Sequence, residues 1–497
     1  WEYFGPISEK NGNLASVRLG EGANLLTDIK VKVGGTLYDA QKTNFGPQLG
    51  FAWSPSGLLG HEFNNKLVIR GGFGIAWNGL DEAISLNGRN NPPFLSAAGV
   101  LTNSPDCGTS GKPICQILYQ NSFPSNPNSF GGYASNPATI ANFDPTTNLP
   151  IAGPNFAPVT LTGFPSTWPT TYTYHYSFTG EYDLGHEWVA SLGYQGSTTR
   201  HLTQQYNLNV VAGTQGLAFN PVVQGIDWFA NDGSARFNAL LAEIHHRFSR
   251  LFEIDSQYRL SKSLDTGSNN FATGQYQYNL ASNFGPSDFD TTHAFKLWGI
   301  WSPAIFHGNQ AWLEKIVGGW SLSGILNAHS GFPWNPVYFE PDPLYQGSSG
   351  AGGSGALRPI AFLGGFVPNY RSSVANPNGG QAFFTAPTVI PGPSFACVVQ
   401  TVNPCPLGPI PQPPIGRNAF RGPGYFDIDA TLSKSFGLPK LSVLGEGAKL
   451  EFRANFYNLF NKLNLTNVQA NILDSHFGEA QNALGARTIE MQARFSF

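Results

Sequence analysis

Little of this sequence is charged: Asp, Glu, Lys and Arg make up 12% of its 497 residues, and they nearly cancel to a net charge of −3. There is no basic surface to hold nucleic acid and no block of like charge to act as a solvated tail. Long apolar runs are missing too. None approaches the roughly 20 residues that a membrane helix needs, which excludes a helical span. A crossing made of strands stays open, because barrel strands are too short and too alternating to register as hydropathy. Enzyme signatures are equally scarce. No G-x-S-x-G nucleophile turn occurs, and Gly71-Gly-Phe-Gly74 lacks the third glycine and the following helix of a dinucleotide loop. The four cysteines show no C-x-x-C spacing and no neighbouring histidine cluster.

What the chain has in excess is glycine (58), proline (37) and aromatic residues (13%), a composition that favours many strands and long loops. The C-terminus shows what kind of strand. In 487–497, Ile489, Met491, Ala493, Phe495 and Phe497 alternate with Glu490, Gln492, Arg494 and Ser496. Side chains alternate with period two, so one face is apolar and the other polar. Termini normally fray; an aromatic at the last residue suits a strand that closes a membrane barrel, and Phe495 and Phe497 are read as its insertion signal. The pattern recurs upstream. Leu450, Phe452, Ala454 and Phe456 alternate with Glu451, Arg453 and Asn455; Phe426, Ile428, Ala430 and Leu432 alternate with Asp427, Asp429, Thr431 and Ser433. In 251–261, Phe252, Ile254, Tyr258 and Leu260 oppose Glu253, Asp255, Gln257 and Arg259, and in 171–182 Tyr172, Tyr174, Tyr176 and Phe178 oppose Thr171, Thr173, His175 and Ser177.

Asp427, Asp429, Glu451 and Arg453 are therefore assigned to the lumen and expected to pair across strands as structural ladders rather than as acid–base groups. Lys434 falls on the apolar side, where a charge at mid-bilayer costs about 2–4 kcal/mol; near a strand end its long side chain is expected to snorkel. His245 and His246 are adjacent in a strand and must point to opposite faces. Asp288 and Asp290 near His293 could bind a cation, yet they fit the polar start of a strand equally well. No cofactor, metal or catalytic group is expected.

Candidate strands lie near 27–34, 45–54, 66–77, 171–182, 187–196, 236–248, 250–261, 292–301, 317–328, 425–436, 448–458 and 487–497, about twelve of them for a barrel of the outer-membrane kind. Every second connection is long: 78–170, 197–235, 262–291, 329–424 and 459–486. Only the short 35–44 breaks the trend. Outer-membrane barrels have short periplasmic turns and longer extracellular loops, so the predicted fold is all-β: a transmembrane antiparallel β-barrel, partial, spanning 1–497 as one domain, with long outer loops 78–170 and 329–424. A periplasmic C-terminus puts Trp53, Trp188, Trp301 and Trp320 at the periplasmic strand ends and Trp77, Tyr425 and Tyr457 at the outer ones, as aromatic girdles. Cys107 with Cys115 and Cys397 with Cys405 lie within the two largest loops; an oxidising compartment favours disulfides over metal, each constraining its loop by roughly 2–3 kcal/mol. A soluble β-propeller would repeat at blade spacing, and no such repeat is present.

Gly416-Arg-Asn-Ala-Phe-Arg-Gly-Pro-Gly-Tyr-Phe-Asp-Ile-Asp429, then Leu432-Ser-Lys-Ser-Phe436 and Phe452-Arg-Ala-Asn-Phe-Tyr-Asn-Leu-Phe-Asn461, resemble the closing strands of TonB-dependent receptors, nearest in flavour to the Oar-like subgroup. Supporting pieces are Tyr194-Gln-Gly-Ser197, Arg200-His-Leu202, Ser261-Lys-Ser-Leu-Asp265, Phe289-Asp290 with His293-Ala-Phe295, Gly318-Gly-Trp-Ser-Leu-Ser-Gly324 and Ser330-Gly-Phe-Pro333. The resemblance implies a bacterial outer-membrane transporter in which an extracellular ligand, a carbohydrate, peptide or metal chelate, docks on outer loops and an N-terminal plug, and TonB pulls on the plug. Outer-membrane lipid and, through the C-terminal strand, the barrel-assembly machinery are the other expected partners. Nothing from Trp1 onward reads as a signal peptide, plug or TonB-contacting segment, and the family's barrel has about twenty-two strands; the chain is thus expected to be the C-terminal part of a larger receptor. The alternative is a surface barrel serving adhesion, assembly or protein export without energised uptake.

Overall fold

The computed structural model describes residues 1–21, 25–55, 65–85, 144–149, 159–208, 222–246, 252–268, 280–303, 317–339, 416–438 and 448–496, apart from a few positions within them, together with short pieces between. Nearly all of the regular structure among these residues is strand. In chain order the strands used below are β1 (Ala15–Arg18), β2 (Lys30–Val33), β3 (Gln48–Trp53), β4 (Leu67–Asn78), β5 (Val159–Gly163), β6 (Thr171–Gly185), β7 (Trp188–Asn207), β8 (Val223–His246), β9 (Phe252–Asp265), β10 (Gly285–Pro286), β11 (His293–Trp301), β12 (Trp320–His329), β13 (Tyr425–Gly437), β14 (Lys449–Tyr457) and β15 (Thr488–Ser496). Eleven of them, β3, β4, β6 to β9 and β11 to β15, form one antiparallel meander in which sequence neighbours are hydrogen-bonded neighbours. The two tightest connections, 186–187 and 247–251, lie at one end, the turn end, and the two longest, 79–170 and 330–424, at the other, the loop end.

The register turns local alternation into two continuous faces. Leu450 opposes Phe495, Phe452 opposes Ala493, Ala454 opposes Met491 and Phe456 opposes Ile489. The row runs on through Leu432 beside Ala454, Leu322 beside Leu432 and Leu326 beside Ile428, and reappears in Leu240 beside Leu260 and Phe178 beside Tyr194. On the other face Glu451 opposes Arg494, Glu243 opposes Gln257 and His245 opposes Asp255. Among the described residues nothing packs over much of the apolar face: Leu322, Leu432 and Ile489 are exposed, and Met491 is 85% exposed. Such a surface suits hydrocarbon, not water. Small residues on it are covered by neighbouring rings. Gly196 has no room for a Cβ beneath the Tyr176 ring, whose hydroxyl donates to Asn238 Oδ1 at 2.9 Å. Gly196→Val should therefore lower stability by about 1–3 kcal/mol, read as the midpoint of urea-induced unfolding; an unchanged midpoint would contradict this packing.

Eleven of the predicted strands lie on the meander, and one does not. Segment 27–34 contributes only β2, four residues long, too short to span a bilayer, which takes about 9–11 strand residues. It pairs with β1 away from the meander. Once it is removed, the short 35–44 connection no longer joins two spanning strands; the turn-end connection 302–319 is nonetheless longer than the loop-end connection 208–222, because β7 and β8 extend into that loop. The loop-end parts of β7 and β8 run well beyond the predicted 187–196 and 236–248, pairing as far as Asn207 with Asp227.

Three side-chain expectations change. Lys434 does not snorkel: the residue is 6% exposed and its Nζ sits over the rings of Trp320 and Phe436. Tyr425 and Tyr457 do stand at the loop end but share the polar face, Tyr425 Oη donating to Asp427 at 3.2 Å. Trp77, its ring tilted against that of Tyr172, stands at the loop end of β4, and Trp53, Trp188, Trp301 and Trp320 stand at the turn end. The two adjacent histidines separate as expected: His245 meets Asp255 at 3.1 Å, while His246 is buried on the apolar face between Trp188 and Phe252.

Candidate functional site

Among the described residues the hydrophobic core lies at the loop end, where the start of β8 meets β1, β2 and β5. A strand whose two faces meet lipid and lumen has no protein interior, so apolar residues can bury one another only beyond the membrane. There β5 runs parallel to the start of β8, β1 pairs with β5 through Val17 and Gly163, and β2 pairs with β1. Ala15, Val17, Ile29, Val31, Leu161 and Ile226 form one buried cluster. Leu37, Tyr38, Ile84, Phe164, Trp168 and Phe229 form a second, with Phe164 stacked on Phe229 at 5.5 Å; burial pushes the Tyr38 phenol above its ordinary pKa. Asn91, fully buried, ties the layers: its Nδ2 donates to Ala15 O (2.8 Å) and Thr162 O (2.7 Å), and its Oδ1 accepts from Thr162 N (2.7 Å). Asn91→Leu removes all of these and strands buried backbone groups, at about 1–3 kcal/mol each. Faster amide exchange at 15–18 and 160–163 is the expected result; unchanged exchange would show that Asn91 does not hold the layers together.

A second anchor joins the segment before β13 to the β9–β11 connection. Arg417 is buried, and its guanidinium donates to Asp265 Oδ1 (2.5 Å) and O (2.8 Å), Ser268 Oγ (2.8 Å) and Pro286 O (3.2 Å), with Asp288 at 3.4 Å. Asn418 Nδ2 donates to Asp288 Oδ1 and Pro286 O, both at 2.7 Å. Arg421 pairs with Asp290, whose buried carboxylate also accepts from Ser263 N (2.6 Å) and faces Lys262 Nζ (3.5 Å). The carboxylates of Asp288 and Asp290 are thus engaged by arginine, and His293 instead meets Tyr258 Oη through Nδ1 at 2.7 Å. Among the described residues no three His, Cys, Asp or Glu side chains gather as a metal site. Three of the motifs singled out in the sequence, around Gly416–Asp429, Ser261–Asp265 and Phe289–Phe295, meet here, though nothing in any one of them shows that it binds the others.

Beside the Arg417 anchor opens a cavity of about 650 Å³, lined among others by Phe4, Asp81, Thr171, Thr203, Ser268 and Phe289. Aromatic faces beside hydroxyls and carboxylates can hold a polar ligand by stacking and hydrogen bonds.

The four charges assigned to the lumen share the polar face but do not form the expected cross-strand ladder. Glu451 Oε1 accepts from Arg453 NH2 of its own strand at 2.7 Å. Asp429 Oδ1 accepts from Asn458 N at 2.9 Å, and Asp427 among the described residues meets only the Tyr425 hydroxyl, with Asn327 opposite in register. Asp429 has Ile325 opposite it and no base to pair with, whereas Glu451 takes Arg453 of its own strand although Arg494 stands opposite in register. Phe495 lies in β15, opposite Leu450; Phe497, Cys107, Cys115, Cys397 and Cys405 lie outside the described residues.

A family model described as an outer membrane beta barrel domain matches residues 1–490. The chain belongs to that family. It is a protein of the bacterial outer membrane, and the apolar face of the meander is the face it offers to lipid. Among solved structures, the outer membrane transporter YddB from Escherichia coli matches with a TM-score of 0.45 at 10% identity, over 90% of this chain and 40% of that one. The ferripyoverdine receptor of the Pseudomonas aeruginosa outer membrane matches with 0.37 at 9%, over 93% and 34%, and the Escherichia coli ferric-catecholate import receptor Fiu with 0.37 at 11%, over 96% and 39%. The outer membrane barrel chain therefore spans well under half the length of these proteins. No curated protein sequence matches it.

Proposed function

We propose that this chain is the barrel portion of a TonB-dependent receptor of the Oar-like subgroup, which captures an extracellular ligand at its loop end and passes it inward along the polar face. The observation that carries the reading is the convergence of the receptor-like motifs on one loop-end anchor, Arg417 and Arg421 with Asp265 and Asp290, beside the cavity. A built platform above a polar face is what ligand capture requires. Asp427, Asp429, Glu451 and Arg453 then line the lumen. The role is transport, not catalysis. TonB would act through a plug, and the strand ending at Phe495 and Phe497 would address the barrel-assembly machinery.

Residues 1–497 form one barrel domain in this reading. Its edges, β3 and β15, have no ladder to each other among the described residues. An unpaired edge is not tolerated in lipid, so further strands of the receptor complete the wall. The loop cysteines pair as Cys107–Cys115 and Cys397–Cys405; non-reducing peptide mapping should find both links, and free thiols in mature protein would refute them.

The functional test compares three strains, the parent, a deletion of this gene and a mutant lacking TonB, across a panel of carbohydrates, peptides and metal chelates. Uptake predicts that the deletion and the TonB mutant lose growth on the same nutrient. A deletion that grows like the parent on all of them, with lost adhesion or surface assembly instead, would replace uptake by the adhesive or export role.

A further inference from the structure

Lys434 stands on the lipid face near the turn end of β13, opposite Trp320 and Phe452 in register. Its Nζ lies 5.3 Å from the Trp320 ring centroid and 5.0 Å from that of Phe436. The residue is more than nine-tenths buried, and no hydrogen-bond acceptor among the described residues meets the ammonium. The ring faces attract a cation, but the three N–H donors of a lysine are not satisfied by π-systems alone, and a buried charge without an anionic partner is costly.

Around it is a groove of about 810 Å³ walled by Leu432, Phe452, Ala454, Met491 and Ala493. The other ionisable residue of its lining is Arg453, whose guanidinium is engaged by Glu451. No carboxylate lines the groove. The result is a hydrocarbon trough with one positive end, at the level of the turn-end tryptophans, where interfacial aromatics sit beside lipid headgroups.

We propose that this groove binds one anionic glycerophospholipid of the turn-side leaflet. Its phosphodiester draws the Lys434 ammonium out from beneath the Trp320 and Phe436 rings, where it has no open surface, and accepts from it, while an acyl chain lies along Leu432, Phe452, Ala454 and Met491. The site is independent of what the receptor transports.

The test uses the full-length receptor in nanodiscs of phosphatidylcholine with a minor share of phosphatidylglycerol, released into detergent and weighed by native mass spectrometry. Wild type and Lys434→Arg should retain a phosphatidylglycerol, and Lys434→Gln should retain it about tenfold less, a difference of about 1.4 kcal/mol. Ala454→Trp, which fills the groove and leaves the ammonium in place, should lose the lipid as well and keeps the test decisive if Lys434→Gln fails to fold. Equal retention by wild type and either of these two variants overturns the proposal. So does equal retention of phosphatidylcholine by wild type, and so does displacement by inorganic phosphate, which would make this a site for free anions.

Discussion

Leu432→Arg is expected to impair membrane insertion severely, while Asp429→Asn in the same strand leaves it nearly intact. Both residues lie near the middle of β13, but Leu432 belongs to the apolar row with Leu322 and Ala454, and Asp429 to the polar one. A cation on the lipid face near mid-bilayer costs about 2–4 kcal/mol. The amide at position 429 can still accept from Asn458 N, the bond the carboxylate makes now. Ile428→Asp and Phe456→Asp should act in the same direction, less strongly. The measurement is the folded fraction in lipid vesicles as a function of urea. Equal effects at 432 and 429 would invert or abolish the assigned faces.

Arg417→Met should open the loop-end anchor. The substitution leaves Asp265, whose side chain is 5% exposed, as a buried carboxylate without its cation. Removing one partner of such a pair costs about 3–5 kcal/mol, and the damage should be local, because the spanning strands are held by their own ladders. Hydrogen exchange is expected to accelerate at 263–268 and 283–290 and to stay unchanged in β14 and β15. Restoring protection by a second change, Asp265→Asn, would identify the stranded charge as the cause; uniform loss of protection across the sheet would instead make Arg417 a determinant of global stability.

Spanning strands were readable because each needs a lipid face and a lumen face, which imposes period two on the sequence itself; β9, β13, β14 and β15 show it plainly. Segment 27–34 misled because Lys-Val-Lys-Val alternates equally well in a short strand whose valine is buried against Ala15 and Leu161. Alternation shows that a residue is in a strand, not which sheet it joins. The overrun of β7 and β8 is not legible for the converse reason: beyond the membrane the faces need not differ, so Gln204-Gln-Tyr-Asn207 and Asp227-Trp-Phe-Ala-Asn-Asp232 carry no alternation. Contacts such as Arg417 with Asp265, far apart in the chain, leave no local trace, even though both motifs were singled out. Lys434 was visible as an anomaly on the apolar face, but its aromatic surroundings come from β12 as well as its own strand.

The most direct test of the central claim, that this sheet spans a bilayer with its apolar row outward, is a nitroxide scan of 426–434 in a cysteine-free variant inserted in lipid vesicles. Collision with oxygen, which concentrates in hydrocarbon, should peak at 426, 428, 430 and 432, and collision with a water-soluble nickel chelate at 427, 429, 431 and 433. Alternation in the opposite phase, or none, would contradict the account.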